Sequence, residues 1–393
     1  MAGAGARAVS DGTVDLEDLA LGEGGVLLVK RALAMSARVR VRGSSPTLAI
    51  DLGAWARAEG HVLAGDTLER GAASRWAGAQ RAGRAAAGGV VDRPPGRWGL
   101  AARGALVEAG APDLGFTLAD RQVIWADEAE RLYAQAAAAQ WDPATAIPWD
   151  APIEHAPEIE DAVVQVMTYL IENETAALLV PARFLGRLHP HFREVMQLLA
   201  IQTADEARHV EVFTRRALLR RAEPGSSTAG GQASLATLLD EPDFALAAFL
   251  LSVLGEGSFL ALLWFLRDHA PDPITRTIAT LAAQDEARHV AFGLAHLSRH
   301  VAEDPTLRAR LSLAVQRRHA ALAHTTGLNA DVLDALQLLA AGSLAPAALR
   351  RAHGEILSLL ATMDSTRQAH LRRLGFAPEA AETLSSLHTR NFM

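Results

Sequence analysis

A mainly α-helical fold, a four-helix bundle with additional helices, is what this sequence predicts, on three observations. The string Asp205-Glu206-Ala207-Arg208-His209-Val210 recurs as Asp285-Glu286-Ala287-Arg288-His289-Val290. Each copy lies in the second of two consecutive long segments whose apolar residues recur at helical spacing. The first segment of each pair is apolar on its inner face except for one carboxylate, Glu174 or Glu256.

The elements follow in chain order. Residues 1–115 read as an N-terminal extension, partly mobile, with short strands expected at Val26–Val29, Ala37–Val41 and Pro46–Ile50. The Gly- and Arg-rich stretch Gly71–Arg103 has little periodicity, and Pro94-Pro95-Gly96 marks a loop. Residues 116–304 form the bundle. Its lead-in helix spans Leu118–Gln140, with Trp125, Ala129, Leu132 and Ala136 on one face, and Trp141-Asp142-Pro143 ends it. The first core helix runs over Pro157–Leu185 and the second over His191–Arg221. Glu223–Ala233, rich in Gly and Ser, reads as a crossover loop. The third helix covers Asp243–His269 and the fourth Ile274–His300, with Pro271 and Pro273 between them. Residues 305–393 read as further helices packing on the bundle, broken near Gly327, Gly342 and Gly375.

Composition removes several classes of function. The 38 basic and 45 acidic residues leave a net charge of −7, unlike a nucleic-acid surface. There is no cysteine, so disulfides, zinc thiolates, iron–sulfur clusters and thiol catalysis are excluded. Electrons for any redox chemistry must therefore come from outside the chain. No basic segment followed by an apolar one opens the sequence, so a cytoplasmic location is expected. Phe244–Phe265 is apolar and about long enough to span a bilayer, but Glu256 in its middle favours a helix buried inside the protein. No membrane span is expected.

Each repeat contains Glu-x-x-His, which places a carboxylate and an imidazole one turn apart on one helix face. Glu174 lies three residues after Ile171 and three before Ala177, so it points with them into the core. Glu172 falls on another face. Glu174 precedes Glu206 by about the same offset as Glu256 precedes Glu286, so antiparallel helices bring the four to one level. Four carboxylates neutralise two divalent ions, whereas unpaired in an apolar core they would be very costly.

With these residues the chain resembles the ferritin-like di-metal carboxylate superfamily. That superfamily includes monooxygenase hydroxylases, ribonucleotide reductase small subunits, acyl-carrier-protein desaturases and arylamine N-oxygenases. The resemblance covers about residues 155–300. It implies that Glu174, Glu206, His209, Glu256, Glu286 and His289 ligate two metal ions, with the four carboxylates as the catalytic metal-site groups. An iron pair is expected, and Mn/Fe or Mn/Mn pairs accept the same ligands. Asp205 and Asp285 are expected to orient imidazole N–H groups across the bundle, paired with Arg208 and Arg288. Histidines 189, 191, 269, 300, 319, 324 and 353 lack partner spacing and are not expected to be ligands.

Fold does not set the reaction. The chain is too long for storage ferritin, and it lacks the cysteine-bound iron of rubrerythrin-type peroxidases. Tyr169 lies roughly 140° around its helix from Glu174, against a radical-storing role. Gln202 and Ala282 stand where arylamine N-oxygenases carry an extra histidine. The expectation is thus an oxygenase or oxidase that uses O2 and an external electron donor, a ferredoxin or reductase. It would hydroxylate, desaturate or N-oxygenate a small organic substrate. Ala177, Thr203, Phe213, Phe259 and Leu260 are candidates for the substrate pocket. A structural metal-binding subunit of a larger complex and a di-manganese catalase are the alternatives, and the helices after residue 305 offer a surface for a homodimer.

Overall fold

The computed structural model describes residues 11–71, 76–83, 90–323 and 330–388. The break expected near Gly327 and His324 lie outside them. The chain forms two compact units. One comprises residues 1–89 and 97–114, the other residues 90–96 and 115–393.

The first unit holds β1 (Asp11–Asp15), α1 (Gly25–Met35), β2 (Arg38–Arg42), α2 (Leu48–Ala58), β3 (Val62–Ala64) and β4 (Thr67–Glu69). The sheet order is β1-β2-β4-β3, with β1 and β2 parallel and the other pairs antiparallel. A pair of two-residue strands, β5 (Gln80–Arg81) and β6 (Leu106–Val107), completes it. Only the middle of the three expected strands forms. Along β2 Val39 and Val41 turn inward and the arginines outward, the alternation of a half-buried strand. Val26–Val29 lies in α1, and Pro46–Ile50 leads into α2. Val29 and Leu33 are buried four residues apart, as are Leu52 and Ala56, so helical spacing overrode the β-branched composition.

Among the described residues, the regular elements of the second unit are helices, but for an isolated bridge, Leu118–Leu188. Its lead-in is not one helix but two, α3 (Arg121–Ile124) and α4 (Ala129–Ala138). Trp125 is extended, at φ −80° and ψ 147°. Its indole N–H donates to Asp127, and its freed carbonyl lies 3.3 Å from His296 Nδ1, which donates to it. A distant side chain therefore sustains a break that the local sequence does not encode.

The bundle follows. Helix α5 (Pro157–Leu185) has the predicted bounds, with Pro157 in its first turn, where no N–H is required. Helix α6 (Arg193–Ala217) carries the first repeat. The expected crossover loop is shorter than predicted, because α7 (Ala229–Leu239) begins inside it. Thr228 caps α7 by accepting from the Gly231 N–H at 3.0 Å. Next come α8 (Phe244–Ala248), a π-helical stretch over Phe249–Gly255, and α9 (Glu256–Asp268). Helix α10 (Pro273–Glu303) carries the second repeat, capped by Asp272. Helices α5 and α6 pack along one another, as do α9 and α10, and α6 meets α10 between the pairs.

Helices α11 (Leu307–Leu322), α12 (Ala330–Ala341), α13 (Pro346–Arg373) and α14 (Pro378–His388) pack on this bundle and share its apolar core. Helix α12 covers α5, and α13 covers α9. The stretch Phe244–Asp268 is long and apolar enough to cross a membrane, but 89% of its most apolar window is buried in the protein.

Candidate metal centre

Helical spacing puts Glu206 with His209 on one face of α6, and Glu286 with His289 on one face of α10. Helix α5 adds Glu174, and the first residue of α9 adds Glu256. All six are 3% exposed or less. Glu206 places one carboxylate oxygen 3.2 Å from His209 Nδ1 and the other 3.0 Å from His289 Nδ1. Glu286 does the same, at 3.3 Å to each imidazole. Glu174 lies 3.7 Å from His209 only.

The donor atoms form two groups, each able to hold a metal ion. One is Glu174, Glu206, His209 and Glu286. The other is Glu206, Glu256, Glu286 and His289, and within each group the atoms lie within 4.8 Å of one another. Glu206 and Glu286 belong to both groups, and Glu174 and Glu256 close the two ends. Glu174 Oε1, Glu206 Oε1, Glu256 Oε2, both Glu286 oxygens and His289 Nδ1 are buried with no hydrogen-bond partner. Such orphans are rare in folded proteins and costly unless a ligand satisfies them. The donor set is carboxylate oxygen and imidazole nitrogen, which suits iron and manganese. The residues therefore fit a di-metal pair.

The electrostatics agree. Burial pushes the Glu174 carboxyl well above its ordinary range, and the charges of Glu286 and Glu206 push it further. Burial and Glu286 do the same to Glu256. For Glu206 burial is outweighed by the two imidazoles, which hold its carboxyl low. Burial also opposes the charging of His209 and His289, yet the surrounding carboxylates raise both well above the ordinary histidine value. The cluster thus attracts positive charge strongly. Metal binding displaces these protons, since ligating carboxylate and imidazole are deprotonated.

The aspartates of the repeats reach across the bundle. His209 Nε2 donates to Asp285 at 3.2 Å, and His289 Nε2 donates to Asp205 at 3.3 Å. Each bond leaves Nδ1 with its lone pair aimed into the cluster. Arg208 does more than pair with Asp205 at 2.6 Å, because it also donates to Asp285 at 3.0 Å. Arg288 donates to Asp285 and to the Gln284 carbonyl.

Four further residues escaped sequence reasoning. Trp141, read as the end of a helix, donates its indole N–H to Asp285 at 2.8 Å, and its ring lies parallel to that of His209. Gln140 donates to Asp205 at 2.8 Å and accepts from Arg208. No spacing in the sequence announces either. Gln202, four residues before Glu206, donates to Glu256 at 3.2 Å. Its place on the ligand-bearing face was legible. Ser252, in the π-helical stretch, lies near enough to Glu256 to act against the rise of its carboxyl.

The five residues expected at the substrate pocket do not share one cavity among the described residues. A cavity of about 20 Å³, room for one water-sized molecule, adjoins Gln202 and Ser252. Its apolar wall includes Val180, Phe184, Leu199, Leu251 and Phe292, and none of the five expected residues lines it. Ala177 and Phe213 are core, with the Phe213 ring 6.2 Å from that of His209. Phe259 packs against Tyr169, and Thr203 is half-buried and donates to the Leu199 carbonyl. Leu260 lines a separate groove between α9 and α13.

No protein-family model matches the chain, and no curated protein matches it. Solved structures do. A variant of an R2-like ligand-binding oxidase with an aerobically reconstituted Mn/Fe cofactor is 18% identical, over 62% of this chain and 93% of that one, with a TM-score of 0.49. Another variant, with an Fe/Fe cofactor, is 17% identical over 61% of this chain and 92% of its own, with a TM-score of 0.47. A third structure, of such an oxidase after photoconversion, is 15% identical over 67% and 90%, with a TM-score of 0.44. These are likenesses of fold.

Proposed function

We propose that this chain is a non-haem di-metal oxidase or oxygenase that uses O2 and electrons from an external donor to oxidise a small organic substrate. The observation that carries the reading is the pair of four-residue groups sharing Glu206 and Glu286, with Glu206 Oε1 and both Glu286 oxygens buried and without a hydrogen-bond partner. When bound, an Fe/Fe or Mn/Fe pair would supply the redox chemistry with O2, which no side chain here can provide. The chain's own residues do the rest. Glu206 and Glu286 offer one oxygen to each position, and Glu174 and Glu256 cap the ends. Asp285 and Asp205 hold the imidazoles, and the apolar core excludes bulk water.

The hydrogen-bonded series Trp141–Asp285–His209 runs from a half-buried indole to a ligand nitrogen. It is the route we assign to electrons from the donor. Trp141→Phe keeps the ring and loses the N–H. Stopped-flow reduction should then slow in protein of matched metal content; losing such an outer partner costs about 10–100-fold in metal affinity or activity. An unchanged rate would remove Trp141 from the route.

Elemental analysis of protein produced with iron and manganese tests the function itself. The expected result is two ions per chain, with O2 consumed when a generic ferredoxin and reductase are supplied. Protein without metal, or Glu206→Ala indistinguishable from the parent, overturns the reading. Peroxide disproportionation without reductant would assign a catalase instead.

A further inference from the structure

Glu256 is held differently from the other three carboxylates. Glu206 and Glu286 each face both imidazoles, and Glu174 lies beside His209. Glu256 instead receives a neutral donor, the Gln202 amide, on Oε1, while Oε2 has no hydrogen-bond partner, and Ser252 lies near enough to act on the carboxyl. One oxygen is thus tied back, and the residue offers one oxygen to the His289-side group. The two tethering residues are also the polar side chains of the neighbouring cavity, whose other walls are apolar.

The local backbone is built for this contact. Ser252 lies inside the π-helical stretch, directly before Glu256 begins α9. It sits so close to α10 that a Cβ added at Gly293 would meet the Ser252 Cβ at 2.6 Å. Glycine at 293 therefore lets Ser252 approach, and α-helical packing alone would not need it. π-Helical turns commonly occur at functional sites because they redirect side chains.

The neighbouring cavity, about 20 Å³, has room for one water-sized molecule and is far too small for an organic substrate. Resting on the di-metal reading above, we propose that Gln202 and Ser252 are positioning residues that would hold Glu256 toward the His289-side position.

Calorimetric titration of the metal-free full chain with Mn(II) tests the positioning role. The parent should show two binding steps. Gln202→Met, which keeps side-chain volume, and Ser252→Ala should each weaken one step by about 10–100-fold and leave the other in place. Gly293→Ala should act like Ser252→Ala by displacing the hydroxyl. A merely structural role would weaken both steps together, and that outcome overturns the proposal. If the parent binds no Mn(II), the di-metal reading fails too. If the parent binds two ions and the variants match it, only the present inference falls.

Discussion

Glu206→Ala is expected to empty both metal positions, whereas Glu174→Ala and Glu256→Ala should each lose one ion and retain the other. The difference follows from geometry. Glu206 gives one oxygen to the neighbourhood of each imidazole, but Glu174 and Glu256 belong to one group each. Metal content by elemental analysis should fall from two to near zero in the first case and to one in the others. A second readout is thermal. A ligand present at about 100 times its dissociation constant stabilises the folded state by about 2.7 kcal/mol, so Mn(II) should raise the melting temperature of the parent. It should not do so for Glu206→Ala. Loss of both ions from Glu174→Ala, or of one from Glu206→Ala, would contradict the bridging assignment.

The second large effect lies at one end of the bundle. Arg216 is fully buried and makes paired hydrogen bonds to Glu160 at 2.8 and 3.0 Å, one to Asp272 at 2.8 Å and one to Thr275 at 2.9 Å. It ties α6 to α5 and to the start of α10. Arg216→Met leaves two buried carboxylates without their cation, and breaking a buried pair from one side costs about 3–5 kcal/mol. The pH dependence has a defined sign. Burial raises the carboxyls of Glu160 and Asp272, but Arg216 outweighs it, with His155 also acting on Glu160, and both end below their ordinary values. Depressed carboxyls stabilise the fold above their unfolded values, and that contribution disappears as pH falls through the folded ones. The parent should therefore lose stability below about pH 4, where unfolded carboxylates take up protons. In Arg216→Met the orphaned carboxyls are raised by burial, so acid relieves them. Urea titrations at pH 7 and near pH 4 should show a large difference between the two proteins at neutral pH and a smaller one in acid. A difference that does not depend on pH would refute the electrostatic account.

Much of the bundle was legible because its signals are local. Helix α5 has the bounds read from its sequence, since Pro157 opens it and the apolar spacing runs unbroken to Leu185. The repeated Glu-x-x-His fixes which face of α6 and α10 turns inward, because i and i+3 share a face in any regular helix. Glu174 and Glu256 stood out as single carboxylates in apolar segments. The mainly helical bundle read from these residues is the architecture observed.

The errors have a common cause. α1 was taken for a strand because Val26–Val29 is short and apolar, and such a run fits either state until its packing partners are known. The lead-in helix breaks at Trp125 because His296, 171 residues later, receives the freed carbonyl.

The sequence by itself determined the helical class, the two repeated pairs and the six donors, since each depends on spacing within one helix. Tertiary structure alone decided how those donors divide. It made Glu206 and Glu286 the shared carboxylates, joined Arg208 to both aspartates, and brought Trp141 and Gln140 to the centre. Those relations join residues on different helices, and periodicity along one helix carries no information about what stands opposite it.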